Sequence, residues 1–258
     1  TGDMAAHVVA SADRFFLGEL ARSPERRGRF WKRDKSSPEK YTASLGPNRA
    51  RLAHILGVRD ARVPFDGPEL LARTTRPALA GKGKGFEAFA VRWPAFGDVH
   101  GEGLLLVPSG KPGVGQVIAI PDAGQTPEMI AGLSEGVEAG SQFARRLAES
   151  GCTVLIPSLI NREISRRRLT NREFLYRSAF EMGRHLAGYE VQKVLAAVDW
   201  ITKDSGERDP SVGVIGWGEG GFLALFAGAL DTRIDAVCVS GSFDEREGVW
   251  QEPIDRNV

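Results

Sequence analysis

The sequence has little cysteine, no long apolar run and almost no net charge. Its 258 residues include only two cysteines, Cys152 and Cys238, too few for a disulfide framework or a four-ligand zinc site. Its apolar runs, such as those at residues 117–120 and 222–226, are too short to span a bilayer. With 34 Lys and Arg against 33 Asp and Glu, the formal net charge is +1. The composition therefore predicts a globular protein with neither a nucleic acid nor a membrane as partner.

The sequence also lacks the motifs that bind nucleotides and metals. It contains no P-loop, no Rossmann fingerprint, no EF-hand and no cluster with metal-ligand spacing. We therefore expect no cofactor and no metal. The first residue is Thr1 rather than Met, which a cleaved signal peptide would explain. Export is thus one expectation, and the compartment stays open.

The order of apolar patterns predicts an α/β fold behind a helical extension. Apolar residues recur at helical spacing in the first sixty residues, where Ser37-Pro38 is a helix start and Gly46 an interruption. We place a helical N-terminal extension at residues 1–69 and an α/β domain at residues 70–258. In the latter we expect a hairpin of strands 86–93 and 101–108, then parallel strands at 116–120, 153–156, 212–215 and 234–239. The helices expected between them cover residues 141–149 with Ser141 as cap, 172–203 with a break near Gly183 or Gly188, and 221–230.

The most informative stretch is a glycine-rich turn between a strand and a helix. Its residues Gly216, Trp217, Gly218, Glu219 and Gly220 stand where the G-x-S-x-G nucleophile elbow stands in an α/β-hydrolase. The outer glycines are required because the strand and helix backbones approach too closely for a Cβ. The central position, however, holds Gly218 instead of a nucleophilic side chain.

In these residues the chain resembles the acetyl xylan esterase and dienelactone hydrolase-like group of the α/β-hydrolases. The resemblance runs from about Phe86 to Ser242 and includes the segments 118–124, 196–200 and 229–236. It implies an α/β-hydrolase-type, mostly parallel sheet with flanking helices, and a small-molecule or carbohydrate ester as substrate. In this group further strands follow the one that ends near Val239, and they carry the acid and the histidine of the triad. We therefore expect the C-terminal strands of the fold, with both residues, to be missing from this chain.

The resemblance also assigns positions within the site. Gly218 takes the place of the nucleophile. The oxyanion-hole donors would be the N–H of Glu219 and an amide near Asp122 or Ala123. All four histidines precede the elbow, whereas the histidine of the group follows it; they are His7, His54, His100 and His185. We expect each to be structural or on the surface, and His185 alone to reach the rim of the site.

Four side chains are candidates for binding the substrate. Asp122 follows a buried strand and is suited to a sugar hydroxyl or a metal, or equally to capping a turn or a helix. Arg162 follows another strand and would clamp a carboxylate or phosphate, or lie in a solvated loop. Trp217 would stack on a sugar ring or pack in the core, and Ser240 would line the pocket.

Three explanations of Gly218 remain open. The domain is a natural pseudo-hydrolase, or a serine was replaced by glycine, or another group such as Glu219 does the chemistry. We expect a protein related to carboxylic ester hydrolases that lacks efficient Ser-triad catalysis, and its status as an enzyme is uncertain. The alternative is a non-catalytic glycan- or protein-binding domain that uses the same cleft.

Overall fold

The computed structural model of the chain describes residues 2–75, 77–110, 114–164, 168–206, 209–245 and 247–248. Within these residues it contains two compact units. One consists of residues 2–52 with the described residues from Asp244 on, and the other of residues 53–243. The division predicted between residues 69 and 70 stays a prediction.

The first unit is helical, as the apolar spacing predicts. Its helices are α1 (Met4–Gly28), α2 (Pro38–Ser44) and the first part of α3 (Gly46–Leu56). The Ser37 side chain accepts a hydrogen bond from the backbone N–H of Lys40, so the predicted helix start is confirmed. The predicted interruption is confirmed too, because α2 ends just before Gly46, at which α3 begins.

The second unit is built around one twisted sheet. Its strand order is β1-β3-β4-β6-β5-β7-β8, with β2 paired to β3. The pairs β6–β5, β5–β7 and β7–β8 are parallel, which confirms the predicted parallel centre. The four strands β1, β2, β3 and β4 extend the sheet on the β6 side with antiparallel pairing. The strands are β1 (Glu69–Leu70), β2 (Leu79–Gly83), β3 (Phe86–Phe96), β4 (Val99–Pro108), β5 (Gln116–Ile120), β6 (Thr153–Pro157), β7 (Val212–Trp217) and β8 (Ala236–Ser240).

Five helices belong to the second unit. They are α4 (Pro127–Ala131), α5 (Phe143–Glu149), α6 (Asn171–Glu181), α7 (Leu186–Asp204) and α8 (Glu219–Leu230). The helices α4 and α5 share one buried cluster with Leu104, Leu106 and Ile156 of the sheet. The helix α7 is buried along most of its length, and its Lys193 carbonyl accepts a hydrogen bond from the Trp93 indole at 3.0 Å. No helix of the described part of the chain combines the length and the hydropathy that crossing a bilayer requires.

Two local predictions need correction or refinement. Ser141 does not cap α5: it ends a short 3₁₀ turn, Ala139–Ser141, and the helix starts two residues later, at Phe143. The break in the long helical region falls at Gly183, whose φ of 66° ends α6 as a left-handed glycine does. Gly188 lies inside α7 instead, where a Cβ would come within 1.9 Å of the Leu56 carbonyl oxygen. Its role is therefore close packing rather than termination.

Candidate functional site

The predicted elbow is present, and a single residue connects its strand to its helix. The strand β7 ends at Trp217 and α8 begins at Glu219, so Gly218 alone connects them. Gly218 has φ 58° and ψ −121°, a conformation that L side chains rarely adopt. Its N–H donates to the Ser240 carbonyl oxygen at 2.9 Å, which ties the turn to β8. The backbone at position 218 thus has the strained shape expected of a nucleophile elbow.

The outer glycines of the elbow are required by close backbone approach. A Cβ on Gly216 would lie 2.0 Å from the carbonyl oxygen of Gly220. A Cβ on Gly220 would in turn lie 2.2 Å from the carbonyl oxygen of Ile120 at the end of β5. The prediction that both positions need glycine is confirmed.

The Asp122 side chain lies directly against the elbow. Its Oδ1 accepts a hydrogen bond from the backbone N–H of Glu219 at 2.9 Å. Its Oδ2 accepts from the backbone N–H of Gly124 at 2.9 Å and from Nη1 of Arg162 at 3.1 Å. A Cβ on Gly218 would be only 2.4 Å from Oδ1. The carboxylate therefore fills the space beside Gly218 that a side chain at that position would need.

These contacts stabilise the charged form of Asp122. Burial raises the pKa of its carboxyl, but hydrogen bonds from the amides of Glu219, Gly124 and Ala123 and the charge of Arg162 lower it, and the net shift is downward. The carboxylate also stands at the N-terminus of α8, where the helix dipole favours a negative charge. Asp122 is thus an anion in the structure, on the very amide that the resemblance assigns to the oxyanion hole.

The Glu219 side chain points away from Asp122 into a buried ion cluster. Its Oε1 accepts from Nη2 of Arg172 at 2.6 Å, and its Oε2 lies 3.7 Å from Nη2 of Arg162. The Arg172 side chain is completely buried. Burial raises the pKa of the Glu219 carboxyl, and the negative charges of Asp122 and Glu190 act in the same direction, whereas the two arginines oppose them. Arg162 therefore bridges two carboxylates whose pKa values are shifted in opposite directions.

Helices α6 and α7 hold the loop that carries Arg162. Arg172 donates from Nη1 to the Ile160 carbonyl oxygen at 3.0 Å. Glu190 accepts from the Ile160 N–H at 2.8 Å, and Lys193, its ion-pair partner, donates to the Ser158 carbonyl oxygen at 3.3 Å. These buried charged side chains hydrogen bond to the backbone of Ser158 and Ile160. They therefore hold the loop in the position that places Arg162 beside Asp122.

His185 lies near this cluster but serves as a helix cap. Its Nδ1 accepts a hydrogen bond from the Ala187 N–H at 3.0 Å at the start of α7, and its ring makes an edge contact with Tyr176. Burial, assisted by the positive charge of Arg172, lowers the pKa of His185. The neutral ring that caps α7 is therefore the favoured form.

The two remaining candidates lie on either side of the elbow. The Trp217 side chain is 49% exposed, and its ring lies against the backbone of Gly241. Ser240 faces Trp217 across the β7–β8 pair and contributes its carbonyl oxygen to Gly218, while its residue surface is exposed. Trp217 is thus a surface residue rather than a core residue.

The structure brings most of the predicted residues together and adds three charged ones. Asp122, Ala123, Arg162, Gly218 and Glu219 are neighbours, and Trp217 and Ser240 flank them. Sequence reasoning missed the contributions of Arg172, Glu190 and Lys193. The last two are oppositely charged residues three positions apart in the apolar first half of α7, a spacing at which side chains on a helix can pair. Arg172 has no such local signal.

Within the described residues no group of three His, Cys, Asp or Glu side chains is arranged to hold a metal ion.

Comparison with known proteins agrees with this fold. Residues 118–243 match the model of the dienelactone hydrolase family. The fold is similar to that of a protein assigned as an acetyl xylan esterase from Bacteroides fragilis, with a TM-score of 0.59 and 17% identity over 80% of this chain and 55% of that one. It is also similar to a methylesterase, with a TM-score of 0.51 and 14% identity over 81% of this chain and 44% of that one. No curated protein gives a significant match.

These likenesses fix the fold. This chain spans about half the length of the two solved structures, and at such identities the similarity concerns architecture alone. The predicted α/β-hydrolase fold is confirmed, and so is the predicted resemblance over the residues that the family model matches.

Proposed function

We propose that this chain, an esterase-like α/β-hydrolase whose residues 118–243 fall in the dienelactone hydrolase-like group, does not hydrolyse esters through a serine-type elbow. The observation that carries the proposal is Gly218, a residue without a side chain at the position of the nucleophile. An acyl-enzyme mechanism needs a hydroxyl or thiol there to attack the ester carbonyl. The substrate class to which the ancestral site corresponds is a small-molecule or carbohydrate ester.

Purified chain should show no serine-type turnover of p-nitrophenyl acetate. Removal of the nucleophile typically reduces turnover on the order of a millionfold, and what remains is about a thousandfold above water. The measurement is release of p-nitrophenolate with and without a serine-reactive phosphonate. Turnover that the phosphonate abolishes would contradict the proposal, whereas steady turnover that the phosphonate does not affect would indicate chemistry by another group. The variant Glu219→Gln would then show whether that group is Glu219.

A second candidate function is non-catalytic binding of a glycan or a protein in the same cleft. The observation that favours a glycan is the half-exposed Trp217 directly before Gly218, together with the Asp122–Arg162 pair that contacts the elbow through the Glu219 N–H. Aromatic faces stack on sugar rings, and such charged groups hydrogen bond to hydroxyls.

If the cleft binds a glycan, Trp217→Ala should weaken binding of an acetylated xylo-oligosaccharide about tenfold or more, as loss of a stacking contact of about 1.4 kcal/mol would do. Isothermal titration calorimetry measures the affinity. The matched control is Trp31→Ala, because Trp31 is equally exposed, at 49%, but belongs to the helical unit. Equal affinities of the two variants, or no binding by the native chain, would rule out this use of the cleft.

A further inference from the structure

The elbow of this chain holds an anion that belongs to the chain itself. In a serine hydrolase the N–H of the residue after the nucleophile binds the oxyanion of the reacting ester. Here that N–H, of Glu219, already donates to Oδ1 of Asp122 at 2.9 Å. The second carboxylate oxygen is held by the Gly124 N–H and by Arg162. The hole is therefore occupied in the folded protein before any ligand arrives.

The same carboxylate explains why position 218 has no side chain. An ideal Cβ at Gly218 would lie 2.4 Å from Oδ1 and 3.0 Å from Cγ of Asp122. The shorter distance is far below van der Waals contact, so a Cβ at 218 requires the carboxylate to leave its present place and the hydrogen bonds that it makes there. A positive φ alone disfavours a side chain here, yet elbow nucleophiles tolerate such strain. Steric exclusion by Asp122 is therefore a second reason for glycine at this position.

We propose that Asp122 is a built-in occupant of the oxyanion hole, and that Gly218 is required because the carboxylate takes the volume of a side chain at position 218. The inference rests on the proposed function in one respect, namely that the elbow is free of nucleophilic duty. The inference adds that the oxyanion hole is specific for a carboxylate. Backbone amides, an arginine and the N-terminus of α8 surround that carboxylate. It also means that the side chain introduced by Gly218→Ser would have to displace Asp122 from the Glu219 amide.

Chemical rescue by formate tests the occupancy. Asp122→Ala leaves the Glu219 N–H and Arg162 facing a cavity of carboxylate size, and the Asp122 side chain is partly solvent-accessible, so a small anion can enter. The urea midpoint of Asp122→Ala should fall below that of the native chain. Sodium formate should restore most of the loss, and sodium chloride at equal ionic strength should not.

The matched control for the rescue is Asp235→Ala. The Asp235 carboxylate also holds a backbone amide of the sheet, since its Oδ2 accepts from the Val212 N–H at 2.8 Å, but neither an arginine nor a helix N-terminus is at that site in the described contacts. Its midpoint should respond to formate no more than to chloride. If formate does not restore Asp122→Ala, or restores both variants equally, the occupancy proposal is overturned.

A double-mutant cycle tests the requirement for glycine. Gly218→Ala should lower the midpoint strongly in the native chain and less in the Asp122→Ala background, where only backbone strain remains. Additive losses would overturn the steric part of the proposal. Ester turnover by the native chain that a serine-reactive phosphonate abolishes would contradict the proposed function without affecting this result. Failure of rescue would leave the lack of serine-type turnover in place, so the two failures are distinguishable.

The milder variant Asp122→Asn keeps the test available if the alanine variant does not fold. The pKa of Asp122 is lowered in the folded state, so its charge stabilises the fold above the ordinary value of 3.8 and loses that effect as the pH falls through the lowered pKa. The native midpoint should therefore exceed that of Asp122→Asn at neutral pH, and the gap should close in acid below the ordinary value. A gap that does not depend on pH would overturn the assignment of a charged occupant.

Discussion

Replacing Arg172 with methionine should lower the free energy of unfolding by about 3–5 kcal/mol, the usual loss when one partner of a buried ion pair is removed. The Arg172 side chain is fully buried, pairs with Glu219 at 2.6 Å and also donates to the Ile160 carbonyl oxygen. Without it, the largely buried Glu219 carboxylate loses its nearest compensating charge, and Ile160 loses a donor. Urea unfolding followed by circular dichroism measures the change.

The control lies on the same helix. Arg177 pairs with Glu173 at 2.5 Å on α6, but its side chain is 58% exposed, so Arg177→Met should cost less than about 1 kcal/mol. The double variant Arg172→Met with Glu219→Leu should recover much of the loss, because no unpaired buried charge remains. An Arg172→Met variant as stable as Arg177→Met would show that the cluster at Glu219 contributes no more than a surface pair.

Gly220→Ala should be the next most damaging change, with a loss of about 3 kcal/mol, the upper end for overpacking. Its Cβ would be 2.2 Å from the Ile120 carbonyl oxygen and 2.5 Å from that of Pro121, so backbone rather than a flexible side chain must move. The displaced segment carries Asp122, and the carboxylate should therefore leave the Glu219 amide as well. Unfolding free energy is again the measurement.

Gly18→Ala is the matched helical control for this substitution. Gly18 lies in α1 with no atom within 4 Å of an added Cβ, so alanine should stabilise the chain by about 0.5–1 kcal/mol through helix propensity. Opposite signs for the two glycine-to-alanine changes are the expected result. If Gly220→Ala left the free energy of unfolding unchanged, the backbones of β5 and α8 would not be in close contact at the elbow.

The glycines of the elbow could be predicted from the sequence because the strand–turn–helix motif implies close approach of backbones. At Gly216 the reason is local, since a Cβ would meet the Gly220 carbonyl oxygen, whereas at Gly220 it is the approach of α8 to the end of β5. The sequence likewise predicts the hairpin of β3 and β4 and the buried strands β5 and β7, whose apolar runs are continuous in sequence. The prediction that Ser141 caps α5 was wrong because the sequence of this segment does not indicate the 3₁₀ turn that precedes the helix.

The side-chain arrangement of the site could not be predicted, because it joins parts of the chain far apart in sequence. The resemblance placed an amide near Asp122 among the oxyanion donors, but not the Asp122 carboxylate as an acceptor from Glu219. The capping alternative given for Asp122 from the sequence is confirmed: it accepts from the Gly124 N–H in its own turn and from the first N–H of a helix that begins almost a hundred residues later. Its use for a sugar hydroxyl or a metal stays a prediction. Arg172 carries no mark of its burial, since arginine on a helix is ordinarily solvated. Only tertiary placement makes it the partner of Glu219.

The sheet order also has a consequence for the route by which the chain folds. The strands β3 and β4 are joined by a tight connection, and their ten aligned pairs can form as soon as both strands exist. The strand β5, by contrast, pairs with β7 only when residue 116 meets residue 212, and β6, α6 and α7 lie between them along the chain. Non-local parallel pairing pays its loop-closure entropy before its contacts form and is therefore slow. The elbow and its Asp122 contact, which both depend on that pairing, should belong to the last part of the molecule to assemble.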